Sequence, residues 1–197
     1  MPTTNTNTVA NVSTGKPKIT GAVFIAPLGT TVPTDAVSEL AEAFKGLGYC
    51  SEDGLTNSNS PEKSEVKAWG GDIILAPQSG KKDTYKLKLL EVLNIDVLKV
   101  VHGESNVTGT LAAGIAIKSN SKELEAHVWV IDMLLRNNAV KRIVLPHGEV
   151  SSIGDVVYKD GEPIGYEITI NAMPDASGDT HHEYIKGAEQ TTAQTNS

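Results

Sequence analysis

The sequence predicts a mostly β protein: an antiparallel β-sandwich or barrel with one flanking helix, a short second helix and extended arms. Three observations lead there. Apolar and polar residues alternate with period two at several places, one segment carries a clear helical stripe, and both ends are nearly bare of large apolar groups. Residues 1–16 read as a flexible arm, because Met1–Gly15 is uncharged, rich in Thr and Asn, and unable to offset its own ordering entropy. Residues 188–197 (AEQTTAQTNS) read as a flexible tail. Between them, residues 17–187 form one domain without linker or internal repeat.

Within that domain Ile19, Gly21, Val23 and Ile25 alternate with Lys18, Thr20 and Ala22, as a half-buried strand requires. A helix is predicted at about 35–46, where Ala36, Val37, Leu40, Ala41, Phe44 and Leu47 make one apolar stripe. Pro33-Thr34-Asp35 supplies its start and Gly46 or Gly48 its stop. Residues 51–67 contain Asn57-Ser58-Asn59-Ser60-Pro61 and few apolar anchors, so they read as a long loop that is either functional or an idle, disordered surface excursion. Tyr85, Leu87 and Leu89 mark a further strand, and a short helix follows at about 95–102 with Asn94 as cap and Gly103 after it. Leu124–Leu135 fits a helical period, but its Val, Trp and Ile content favours a strand. Arg136-Asn137-Asn138 then turns a hairpin into Val140–Leu145. Asp160-Gly161 is placed to turn Val156–Tyr158 into a strand over Ile164, Tyr166, Ile168 and Ile170.

The 197 residues carry 17 basic and 24 acidic side chains, a net charge of −7. The imbalance is local. Residues 149–197 hold Lys159 and Lys186 against nine acids, whereas residues 1–148 balance. An acidic chain does not grip phosphates or an anionic membrane, and aromatics at 5% leave no base-stacking platform. A single cysteine, Cys50, excludes an intrachain disulfide and any multi-cysteine zinc site. Neither a signal peptide nor an apolar run long enough for a membrane span is legible.

Catalytic signatures are absent from the sequence, and no cofactor or metal is expected. The histidines, His102, His127, His147, His181 and His182, form no His-x-x-x-His pair. Neighbours on a strand point to opposite faces, so His181 and His182 cannot chelate one ion together. Gly103-Glu104-Ser105-Asn106-Val107 lacks the second glycine of a nucleophile elbow. Gly80-Lys81 lacks the glycine a phosphate loop needs at Leu75, and Gly109–Gly114 has the wrong spacing for a dinucleotide fingerprint. Cys50 has no base nearby in sequence and reads as a small hydrophobe. Carboxylate pairs such as Glu123/Glu125 are what any acidic β protein offers.

Five separated segments stand out: VSTGKPKITGAVFIAPLGTTVPTDA (12–36), FKGLGYCSEDGLTNSNSPE (44–62), VLKVVHGESNVTG (97–109), HVWVIDMLLRNNAVKRIVLPHGEV (127–150) and IGYEITINAMPDASGDTHHEYIK (164–186). Together they resemble the major tail proteins of long, non-contractile-tailed bacteriophages. The resemblance covers roughly residues 12–186 in the family's order. It implies a β-sandwich tail tube subunit that stacks as hexameric rings into a hollow tube in the virion, after synthesis in the host cytoplasm. Its implied partners are further copies of itself, a tape-measure protein, and tail-terminator and tail-tip proteins, with double-stranded DNA only in passage. Many relatives append an immunoglobulin-like domain, for which no room is expected after Lys186.

On that reading an acidic lining keeps the genome from sticking, so Glu149, Asp155, Asp160, Glu162 and Glu167 become candidates for the lumen wall. Met1–Gly15 and Ser51–Lys67 become candidate arms that order between subunits, with Val12, Leu55, Asn57, Asn59 and Pro61 as candidate assembly contacts. The alternatives are a carbohydrate- or ligand-binding β-sandwich, which needs solvent-facing aromatics, and a tail-tip or baseplate relative of the tube protein. Trp69 and Trp129 are the only tryptophans, and Trp129 sits in an apolar run that reads as core.

Overall fold

The alternating segments pair as antiparallel strands. A computed structural model describes residues 7–18 and 21–188. In chain order the elements are β1 (Lys16–Pro17), β2 (Val23–Pro27), β3 (Lys45–Gly46), β4 (Thr56–Lys63), β5 (Val66–Lys67), β6 (Ile73–Leu75), β7 (Gln78–Leu89), α1 (Ile95–His102), β8 (Val107–Thr110), β9 (Gly114–Ile117), β10 (His127–Leu134), β11 (Val140–Ile153), β12 (Tyr166–Ala172) and β13 (His182–Lys186). Nine of these strands make one sheet, with the path β3-β2-β10-β11-β12-β7-β4. β1 adds to β10 beyond β2, and β13 adds to β11. The sheet is open, not a closed barrel: β3 and β4 end its path. Two hairpins, β5–β6 and β8–β9, complete the strands.

β11 organises the sheet. Its first half lies between β10 and β13, and from Gly148 onward β12 takes the flank that β13 leaves. Trp129 and Ile131 of β10, Ile143 and Leu145 of β11, Ile168 and Ile170 of β12, and Tyr85, Leu87 and Leu89 of β7 meet in one core cluster. The buried face of α1, Val97, Leu98, Val100 and Val101, joins the same cluster. Trp129 is fully buried and donates its indole N–H to the Gly148 carbonyl at 3.0 Å. The Asn94 side chain accepts from the Asp96 N–H at 3.0 Å, capping α1, and Gly103 ends it at φ 92°. Between β10 and β11 the turn puts Asn137 and Asn138 at φ 59°, a conformation asparagine tolerates better than most residues.

Three expectations need correction. The helix expected at about 35–46 does not form; that stretch is irregular apart from β3. Asp35 Oδ1 accepts from the Val37 and Ser38 N–H groups, both at 2.6 Å, which makes a cap. The carbonyls that a helix would use next are taken by Arg142, whose Nη1 donates to Ser38 O at 2.9 Å and Asp35 O at 3.3 Å. Arg142 itself is 2% exposed and grips Asp132 through Nε at 2.7 Å and Nη2 at 2.8 Å. The segment therefore covers the second face of β10 and β11, where Val128, Val130 and Val144 are buried.

Residues 51–67 are likewise not all loop, since β4 runs through them with β7 as its partner. Val156–Tyr158 is not a strand either. Gly161 does turn at φ 83°, but residues 154–165 connect β11 to β12 without ladder bonds except at the Gly154 N–H, which donates to Glu167 O at 2.8 Å. Pro163 has no N–H to extend that ladder. Residues 1–6, Ile19, Thr20 and residues 189–197 lie outside the described residues, and with them part of the expected N-terminal arm and most of the expected C-terminal tail.

Candidate assembly surfaces

The most exposed element is a β-hairpin arm built from β4 to β7. β7 has β12 as its other neighbour only from Thr84 to Leu89, so residues 59–82 stand as a two-stranded ribbon away from the sheet. Every residue of β4 is exposed. The ribbon continues through a Ser64 N–H to Pro77 O bond at 3.0 Å into β5 and β6, and turns at Trp69-Gly70-Gly71. Gly70 and Gly71 have φ of 133° and 98°, which a side chain would resist. At this tip Val66, Trp69, Ile73, Ile74 and Leu75 are all exposed, Trp69 completely. A two-stranded ribbon is marginal in water by itself, and a cluster of exposed apolar side chains marks an interaction surface. The sequence signal for this arm was present in Gly70-Gly71 between two apolar runs, but the polar run Thr56–Lys63 hid its other strand.

The candidate contacts divide. Asn59 and Pro61 lie on the exposed arm opposite Asp83 and Lys81. Leu55 instead packs against the core cluster, and Asn57 donates its amide to Asp83 at 2.8 Å, so both are engaged within the chain. Val12 is exposed in the N-terminal segment. That segment runs along the β10–β11 turn: Ser13 Oγ accepts from the Arg136 N–H at 2.7 Å, and Arg136 Nη1 donates to Val9 O at 3.1 Å. Lys16 and Pro17 then pair with Leu134 and Met133. The described part of the expected N-terminal arm is thus placed on the body.

The candidate acids also divide. Alternation along β12 puts Glu167, Thr169 and Asn171 on the face away from the core, and Glu149 stands opposite Asn171 on the same face. Lys86 of β7 joins them and meets Glu167 at 2.9 Å. Asp155, Asp160 and Glu162 are exposed on the 154–165 connection, where Glu162 pairs with Lys159 at 2.6 Å. Two acids therefore share a polar sheet face and three do not lie in the sheet.

Chemistry finds little purchase. Burial, with Glu91 nearby, pushes the Cys50 thiol up to about 11, which keeps it protonated and inert at neutral pH. His181 and His182 do turn apart: His181 Nδ1 is 2.6 Å from Asp83 Oδ2, and His182 Nε2 is 3.4 Å from Asp175. Asp175, Asp179 and His182 bring ligand-type atoms within 4.8 Å of one another. Asp175 is already committed to the Ser177 and Asp179 N–H groups at 2.8 and 3.1 Å, and these bonds hold its carboxyl below the usual range. That cluster is explained as a turn. No described helix is long and apolar enough to cross a membrane.

A protein-family model described as phage tail tube protein matches residues 5–195, nearly the whole chain. The chain belongs to the phage tail tube protein family. No curated protein matches it. A tail tube subunit is a structural component of the virion tail that assembles with copies of itself. The tail tube family is structural, which accords with the absence of catalytic signatures in the sequence.

Proposed function

We propose that this tail tube protein assembles as hexameric rings that stack into the hollow conduit for the double-stranded genome of a long, non-contractile-tailed phage. The observation that carries this reading is the arm of residues 59–82, a self-standing ribbon whose tip exposes Trp69, Ile73, Ile74 and Leu75. Such a tip loses apolar exposure only against another molecule, and in a homopolymer that molecule is a second copy. The arm and the N-terminal segment bridge subunits or rings, with Val12, Asn59 and Pro61 available at those contacts. Leu55 and Asn57 act by supporting the base of the arm.

The lumen wall in this reading is the polar face that carries Glu149 and Glu167, with Asp155, Asp160 and Glu162 on the adjoining connection. Lys86 and Lys88 of β7 share that sheet face and balance Glu149 and Glu167, so a DNA backbone meets a hydrophilic wall that neither binds nor strongly repels it. A tape-measure protein occupies the lumen during assembly, and terminator and tail-tip proteins close the ends. Trp69 shares the tip with the exposed aliphatic side chains Val66, Ile73, Ile74 and Leu75, a composition that favours protein contact over a carbohydrate module.

Deleting residues 2–14 tests the bridging role. The truncated chain is expected to stay folded by circular dichroism and to form no extended tubes under negative-stain microscopy, where the full chain forms them. Tubes of normal length from the truncated chain would refute the role of that segment. Isolated rings from the full chain would instead point to a tail-tip or baseplate relative.

A further inference from the structure

The arm leaves the body at a buried carboxylate. Asp83 is the last residue of β7 before the strand gains β12 as a neighbour, and it is 1% exposed. Donors reach it from two other segments. Asn57 Nδ2 of β4 lies 2.8 Å from Oδ1, whereas Thr180 Oγ1 and His181 Nδ1, from the segment before β13, each lie 2.6 Å from Oδ2. Asn57 also donates to Thr84 O at 3.2 Å. Two residues beyond Asp83, the buried Tyr85 ring stands edge-on to His181 at 5.7 Å, and its hydroxyl has no hydrogen-bond partner among the described residues. Burial works to raise the Asp83 carboxyl, but the bonds from Thr180, Asn57 and His181 outweigh it and hold the group below its ordinary value. Beside this point a cleft of about 530 Å³ separates the first residues of the ribbon, Glu62, Lys81 and Lys82, from Met173, Asp179 and His181.

We infer that Asp83 is a root clamp, tying β4, β7 and the Thr180–His181 segment together so that the arm points in one fixed direction before it meets another subunit. The location carries the inference. A sheet becomes a two-stranded ribbon at this residue, and swinging the ribbon requires Asn57, Thr180 or His181 to leave a carboxylate that water cannot reach. The neutral Thr180 hydroxyl and the His181 ring meet it from the loop, Glu183 of β13 lies near Tyr85, and the cleft beside it carries Glu62, Lys81 and Lys82 on the ribbon side and Asp179 on the other. A clamp that presets the arm removes ordering entropy from the assembly step. That consequence rests on the bridging role proposed for the arm, whereas the clamp itself does not.

Conservative and non-conservative variants separate positioning from mere packing. An asparagine amide can place a donor where the His181 Nδ1 sits, whereas leucine fills the space without one; serine keeps the Thr180 hydroxyl, whereas valine does not. Hydrogen exchange would be measured on the full unassembled chain, with tube growth followed by light scattering. His181→Leu and Thr180→Val are each expected to raise exchange at residues 56–60 and 80–84 at least tenfold, with β10 and β11 amides unchanged. His181→Asn and Thr180→Ser should stay near the parent. Unchanged exchange in both non-conservative variants, or equal exchange in Leu and Asn variants, overturns the clamp. If the root loosens and tubes still grow at the parent rate, the clamp stands and the bridging role of the arm is refuted.

Discussion

Arg142 decides what the 35–46 segment becomes. Its guanidinium is buried, spends two N–H groups on Asp132 and turns a third toward the Ser38 and Asp35 carbonyls. Lys18 adds a weaker contact to the same carboxylate at 3.9 Å. Removing one partner of a buried pair strands the other charge, so Arg142→Ala is expected to lower stability by about 3–5 kcal/mol, read from the urea midpoint. Replacing the pair together, Arg142→Met with Asp132→Leu, should recover most of that loss, because apolar side chains of similar volume need no compensating charge. A double variant no more stable than Arg142→Ala would assign the effect to the Ser38 and Asp35 carbonyls instead. The apolar stripe from Ala36 to Leu47 was legible in the sequence. The competitor for its backbone acceptors, more than a hundred positions away, was not.

Strands with apolar alternation were readable: β2, β7 and β12 fall where the period placed them, β10 where Val, Trp and Ile content favoured a strand and β11 after the Arg136–Asn138 turn, with α1 and its Asn94 cap. β4 escaped because Thr56–Lys63 has no apolar face; it is a strand only because β7 offers it a ladder. The β10–β11 pairing contains a tighter constraint. A Cβ on Gly148 would lie 2.5 Å from Trp129 Cδ1 and 2.9 Å from Ile170 Cγ2, both inside the core. Gly148→Ala is therefore expected to cost about 1–3 kcal/mol and to lower the thermal midpoint, with a change in tryptophan fluorescence. An alanine variant that melts with the parent would mean that Trp129 can shift without loss.

Across the whole molecule the division is between a packed body and a projecting arm. Trp69 touches nothing that the body needs, so Trp69→Ser should leave the thermal midpoint unchanged and abolish tube elongation. Normal elongation by that variant would remove the tip from the assembly contacts. The local pattern of the sequence determined which segments have an apolar face, where α1 and the β10–β11 turn are capped, and, through the whole chain, membership of the tail tube family. Tertiary structure alone decided that 35–46 is irregular apart from β3, that 59–82 projects as a ribbon, and that Asp83 sits buried among donors from two other segments. The physical reason is that periodicity encodes which side of a segment avoids water. It does not encode which distant group will take its backbone carbonyls, lend it a ladder or share its buried charge.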